Sequence, residues 1–152
     1  MHIGHYIELV HKGHQDFAEA LRKIAAHHGA EPDITTTCQL LAIWSDQLVL
    51  NLQPFIDIYG EEKDKEPDRL KSILFVKPRS GSMGLLRDLH DLWLMSNEAE
   101  LCCLVLKMAA MGLGDEALLT VCNTMEKQTK RQTAWLLTRI KSAAPQTLIA
   151  AE

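Results

Sequence analysis

Residues 3–29, IGHYIELVHKGHQDFAEALRKIAAHHG, decide the fold. Ile3, Ile7, Val10, His14, Phe17, Leu21, Ile24 and His28 alternate steps of four and three, which places them on one face of a helix. The stripe is apolar except at its midpoint, His14, and its end, His28. Gly29 follows where a left-handed C-terminal residue is expected. The same pattern returns three times. Ile34, Cys38, Leu41, Ser45, Leu48, Leu52, Phe55 and Tyr59 form the second stripe. Leu85, Leu89, Leu92, Ser96, Ala99, Cys103, Leu106 and Ala110 form the third, and Leu118, Cys122, Met125, Thr129, Leu136 and Ile140 the fourth. The spacing predicts helices over about 2–28, 34–59, 83–111 and 116–143. No β-type alternation competes, so the chain reads as all-α.

Punctuation and loop lengths set the topology. Asp33, Ser82 and Asp115 stand where N-caps belong, Gly112 and Gly114 mark the end of the third helix, and Pro145 closes the fourth. Pro54 is expected to kink the second helix, because proline removes a backbone donor and crowds the preceding turn. The first-to-second and third-to-fourth connections are a few residues long, so each pair must be an antiparallel hairpin. The connection from Gly60 to Gly81 is longer and predicts a short helix over 67–75, opened by Pro67. A helix of this length spans about 40 Å, a distance such a connection can travel. The expectation is therefore a four-helix bundle, two antiparallel hairpins joined by one long crossover, forming a single domain over 1–152.

Bulk properties narrow the function classes. The chain has 152 residues, 47% hydrophobic and 24% charged, the profile of an ordinary globular domain. A formal charge of −4 argues against nucleic acid and acidic membranes as partners, since both need a positive surface field. The apolar runs Leu101 to Leu106 and Met108 to Leu113 are broken by Lys107 and fall short of the roughly 20 residues that span a bilayer. The N-terminus is punctuated by His2, His5, Glu8, His11 and Lys12 and carries no secretory pattern, so a cytoplasmic location is expected. Cys38, Cys102, Cys103 and Cys122 lack the paired spacings of a zinc or redox motif and read as small buried hydrophobes.

The midpoints of the stripes carry the functional interest. His14, Ser45, Ser96 and Thr129, with Gln132 one turn further on, meet in one polar layer if the helices pack together. Such layers are where bundles hold metals and cofactors. In architecture the whole chain resembles the ferritin-like superfamily of four-helix bundles, the closing segment Ala109-Ala110-Met111-Gly112-Leu113-Gly114-Asp115, with the helix through Thr129, Gln132 and Trp135, carrying the nearest likeness. Within it, the likeness is to small bacterial members of unassigned function. The resemblance implies a di-iron or di-manganese site, built from a glutamate on each of two helices and Glu-x-x-His on each of the others. This sequence departs from that motif. Glu126-Lys127-Gln128-Thr129 has threonine in the histidine position, and Asp46-Gln47-Leu48-Val49 ends in valine. Glu98 and Glu100 flank their stripe, and Glu19 faces outward. Hard divalent cations need converging carboxylates, and the layer offers one histidine among hydroxyls. The first expectation is thus a non-catalytic binding or stress-associated bundle, its layer closed by hydrogen bonds such as His14 to Ser45 or Thr129.

The second expectation is a metal-binding protein or di-iron/di-manganese-type oxidoreductase. Glu8-Leu9-Val10-His11 spells Glu-x-x-His, and His14 follows one turn later, so Glu8, His11 and His14 form a candidate metal site for iron or manganese. His2 and His5 extend the row, and Asp46 or Glu126 are further candidate ligands. Other groups carry less. Lys77-Pro78-Arg79-Ser80-Gly81-Ser82 is a basic turn at a helix start that reads as a capped surface loop, with anion binding as the alternative and no Walker pattern. Asp88, His90 and Asp91 gather acids and a histidine without a nucleophile. Lys127, Lys130, Arg131 and Lys141 read as a solvated face. Trp44, Trp93 and Trp135 lie beside the core stripes and favour a homodimer, since indoles there seal helix pairs or subunit contacts.

Overall fold

The four apolar stripes become four helices, because only a helix brings residues three and four apart onto one buried face. They are α1 (Ile3–His27), α2 (Pro32–Tyr59), α3 (Gly81–Leu113) and α4 (Glu116–Pro145), the last running on into a π-helical turn over Gln146–Ala150. The structure is a computed structural model and describes residues 2–60 and 74–150. Among them there is no strand, and no helix is long and apolar enough to cross a membrane.

The apolar side chains fall into two clusters that reveal how the helices run. The first holds Phe17, Leu21 and Ile24 of α1, Ile34, Cys38 and Leu41 of α2, Leu85, Leu89 and Leu92 of α3, and Leu136 of α4. The second holds Ile3, Ile7 and Val10 with Leu48, Leu52, Cys103, Leu106, Leu118, Cys122 and Met125. The start of α2 and the start of α3 thus share one end of the bundle, with the ends of α1 and α4. So α2 and α3 are parallel, and Tyr59 and Gly81 lie at opposite ends. The hairpins α1–α2 and α3–α4 pack most extensively, α1 meets α3, and α2 meets α4. That leaves α1–α4 and α2–α3 as the diagonals of a square. Each Leu or Ile fully buried in these clusters contributes about 2 kcal/mol by leaving water.

Helix ends follow local chemistry, with some departures from expectation. Gly114 takes left-handed dihedrals (φ 67°) at the end of α3, and its N–H bonds back to the helix carbonyls. Asp115 then caps α4 by accepting from the Leu118 N–H at 2.9 Å. The Tyr59 hydroxyl donates to the other Asp115 oxygen at 2.5 Å, tying the end of α2 to the α3–α4 turn. Elsewhere the caps differ. α2 starts earlier than expected, at Pro32, whose fixed φ suits a first turn, and Asp33 accepts from Arg139 Nε at 2.6 Å instead of capping. Ser80, not Ser82, precedes α3, and Gly29 is not left-handed. α2 runs through Pro54 to Tyr59, and α4 runs through Pro145. The crossover helix expected over 67–75 lies outside the described residues except for Leu74 and Phe75, which are not helical. Phe75 packs on the first cluster.

Asp115 serves two elements at once, so its loss is felt at both. Replacing Asp115 with alanine is expected to lower stability by about 1 kcal/mol from the cap alone. Tyr59→Phe in the Asp115→Ala background should add nothing, because the hydroxyl then has no carboxylate to meet. Urea midpoints of the single and double variants check both statements.

Candidate functional site: the mid-bundle polar layer

Between the two apolar clusters each helix presents a polar side chain. His14 is 1% exposed, and Ser45, Ser96, Thr129 and Gln132 are 0% exposed. In chain order they fall between Val10 and Phe17, Ala42 and Leu48, Leu92 and Cys103, and Met125 and Leu136, which are the boundaries of the two clusters. The layer is therefore a polar partition across the whole core.

The hydrogen bonding differs from the closure expected. Thr129 Oγ1 donates to the Met125 carbonyl at 2.5 Å and Ser96 Oγ to the Trp93 carbonyl at 2.8 Å, so both hydroxyls bond within their own helices. Gln132 makes the link across helices: its Nε2 donates to the Leu41 carbonyl and to Ser45 Oγ, each at 2.9 Å. His14 bonds to neither Ser45 nor Thr129. Both of its ring nitrogens are buried without a partner, as is Gln132 Oε1. A neutral imidazole carries one donor and one acceptor, and each left unsatisfied in a core costs about 1–3 kcal/mol. Burial, with His11 nearby as the smaller cause, pushes the His14 imidazole down from 6.5 to about 4. His14 is neutral at physiological pH.

The carboxylates expected to help hold a metal are engaged elsewhere. Asp46 forms a two-pronged ion pair with Arg22 on the α1–α2 surface. Glu126 accepts from Lys107 and Lys130, both at 2.9 Å, and these ammonium groups hold its carboxyl down near 2. Glu8 is exposed whereas His14 is buried, and His11 lies between, half-buried, with Nε2 unpartnered. Among the described residues no three His, Cys, Asp or Glu side chains are grouped to hold a metal ion, and Glu8, His11 and His14 are not gathered into such a set. The open groove lined by Lys12, Asp16, Arg22, Lys23 and Asp46 is neutralised by its own pairs, such as Lys12–Asp16 at 2.7 Å.

A second polar cluster, at the end of the bundle where α2 and α3 begin, was only half visible in sequence. Asp88 is fully buried and Asp91 nearly so, while His90 is exposed. The histidine that meets Asp88 is His28, whose Nε2 lies 2.8 Å from Asp88 Oδ2. Arg79 completes the cluster: its backbone N–H donates to Asp88 Oδ2 at 2.9 Å, and Nη1 donates to Asp88 Oδ1 at 2.9 Å and to Asp91 Oδ2 at 2.8 Å. Gly84 makes room for this approach, since a Cβ there would stand 2.7 Å from the Arg79 carbonyl carbon. The basic turn, whose alternative reading is an anion site, thus spends its arginine on the protein's own carboxylates. Ser80 Oγ lies 3.4 Å from His27 Nε2, but the buried acid orients His28, so no serine–histidine–acid chain is assembled.

The remaining candidates are packing elements. Cys38, Cys103 and Cys122 are buried free thiols, and burial pushes Cys38 and Cys103 up to about 12. Trp44, Trp93 and Trp135 lie partly buried against the first cluster, Trp44 beneath the Arg131 guanidinium at 4.5 Å. Comparison of the chain with protein-family models, with curated proteins and with solved structures gives no match.

Two measurements test this geometry. A histidine whose folded pKa lies below its unfolded value binds fewer protons when folded, so its cost is absent above pH 6.5 and grows as pH falls toward 4. Between pH 7 and pH 5 the wild type should lose about 2 kcal/mol that His14→Leu does not lose. At pH 7 the same variant should be as stable as wild type or more so, since it removes two orphaned polar atoms. Asp88→Ala leaves Arg79 and His28 without their buried acceptor and is expected to cost about 3 kcal/mol. His90→Ala, on the exposed side of α3, should change the urea midpoint little.

Proposed function

We propose that this chain is a ferritin-like four-helix bundle that works as a non-catalytic, homodimeric binding module without a complete di-metal centre. The two-hairpin arrangement, with α2 parallel to α3, supports the ferritin-like reading, since a single long crossover is how that family joins its hairpins. One observation carries the functional half. The layer that would hold the metal pair contains His14 and four neutral side chains, and the nearby carboxylates Asp46 and Glu126 are paired outward with arginine and lysine. A pair of hard divalent cations would face there one imidazole and no charge to balance its own. The layer's unsatisfied atoms, the His14 nitrogens and Gln132 Oε1, are neutral hydrogen-bonding groups without a charged one among them.

A metal-binding reading is favoured by one observation only: His11 Nε2 and both His14 nitrogens are unpartnered, and histidine is the commonest metal ligand. Untagged protein purified after growth in iron- and manganese-supplemented medium, analysed by mass spectrometry for metals, separates the two. Substoichiometric iron and manganese, unchanged by His14→Leu, is the expected result. Stoichiometric metal that disappears in His14→Leu overturns the non-catalytic reading.

A further inference from the structure

The outer face of α3 is unlike that of its neighbours. The exposed sides of α1 and α4 are mostly charged or polar, as a solvated helix requires. On α3, opposite the stripe that enters the core, Leu94 is 45% exposed, Leu101 61%, Leu104 52%, Val105 42%, Met108 57% and Met111 54%. Their spacing is ordered. Leu94, Leu101 and Met108 stand seven apart, and Leu104 and Met111 lie three beyond the second and third of them. Asn97 occupies the equivalent place after Leu94, with its amide turned back to the Trp93 carbonyl at 2.8 Å. The spacing is the one that the seam of a two-helix coiled coil uses, here on the outside of a bundle.

The structure points to a second copy of this chain as the occupant, its α3 lying antiparallel on this one; the inference rests on the homodimeric reading above. Three observations select that occupant. The first is size: half-exposed leucine and methionine residues present about 100 Å² each, so the seam offers about 600 Å², most of the ~800 Å² per partner that a stable interface buries. The second is self-complementarity. An antiparallel pair sets Leu101 against the partner's Leu104, Leu94 against the partner's Met111 and Met108 against the partner's Asn97, so one stripe supplies both sides of a two-fold interface. The third is charge. Glu100 and Lys107 flank the seam on the same side, seven residues apart, and same-side residues meet across an antiparallel seam. Each Glu100 then faces the partner's Lys107, whereas a parallel pair would set Glu100 against Val105. Lys107 now donates to Glu126, which Lys130 also holds, so Glu126 keeps a cation if Lys107 turns outward. The chain's own segment 61–73, EEKDKEPDRLKSI, offers only Leu70 and Ile73 as apolar residues and is poorly suited to cover the stripe.

Sedimentation equilibrium on the full chain, wild type and variants, tests the proposal, with circular dichroism and thermal melting as the check on folding. Leu101 and Met108 are more than half exposed, so Leu101→Glu and Met108→Glu should leave helix content and melting of the isolated chain unchanged. Each should weaken dimerisation at least about tenfold in Kd. Glu100→Lys alone should weaken the dimer, and Glu100→Lys combined with Lys107→Glu should restore it, which a parallel pair would not do. A wild-type dimer indifferent to Leu101→Glu and Met108→Glu overturns this interface and leaves the homodimeric reading standing. A wild-type monomer overturns both and assigns the stripe to a different protein.

Discussion

A polar side chain placed halfway along a core stripe constrains the whole bundle, because it must meet other polar groups or lie orphaned among leucines. Here only Gln132 meets a polar partner on another helix, at Leu41 and Ser45, so the constraint fixes the register of α4 against α2. Sliding α4 by a turn, about 5.4 Å, would break the bonds from Gln132 to Leu41 and Ser45 and carry its amide into an apolar cluster. The bond from Gln132 to Leu41 and Ser45 adds a directional link between α4 and α2, which are otherwise in modest contact. The layer lowers stability relative to an all-apolar core. What it supplies is one arrangement in preference to neighbouring ones, the role best attested for single polar residues in helical seams.

Polar locks at the two ends complete the scheme. At one end Asp88 gathers His28 from just after α1, Arg79 from the segment before α3, and through Arg79 its neighbour Asp91. At the other, Asp115 caps α4 and takes the Tyr59 hydroxyl at the end of α2. The bundle thus alternates lock, apolar cluster, polar layer, apolar cluster and lock along its length. Each apolar block is bounded by directional bonds. Asp88 is fully buried, so both the loss of its hydration and the contacts with His28 and Arg79 that offset it arise on folding.

Regular features were the legible ones. The four stripes, the polar partition, the Gly114–Asp115 punctuation and the parallel course of α2 and α3 all follow from periodicity and loop length, which are local quantities. The site was legible as a set of residues but not as a set of bonds. Whether Thr129 and Ser96 reach across the core or back to their own carbonyls depends on rotamers that spacing does not specify. His28 and Asp88 are 60 residues apart, and Asp88 adjoins Leu89 at the border of its stripe, so nothing local announces their pairing. Arg79 looked available to an anion because the carboxylates that consume it lie on the next helix turns, brought close by the missing side chain of Gly84.

The longest helix, α3 at 33 residues, carries two apolar faces, and this hid one of them. A helix that is apolar on opposite sides has little amphipathic contrast, so tracing the face that joins the core leaves the other looking like scatter. The two faces are nonetheless joined by a shared atom: the Trp93 carbonyl accepts from Ser96, which faces the polar layer, and from Asn97, which faces outward. The polar residue in the core stripe and the polar residue in the outer stripe are therefore adjacent in sequence and anchored at one point. A single turn of α3 interrupts both apolar surfaces at the same height.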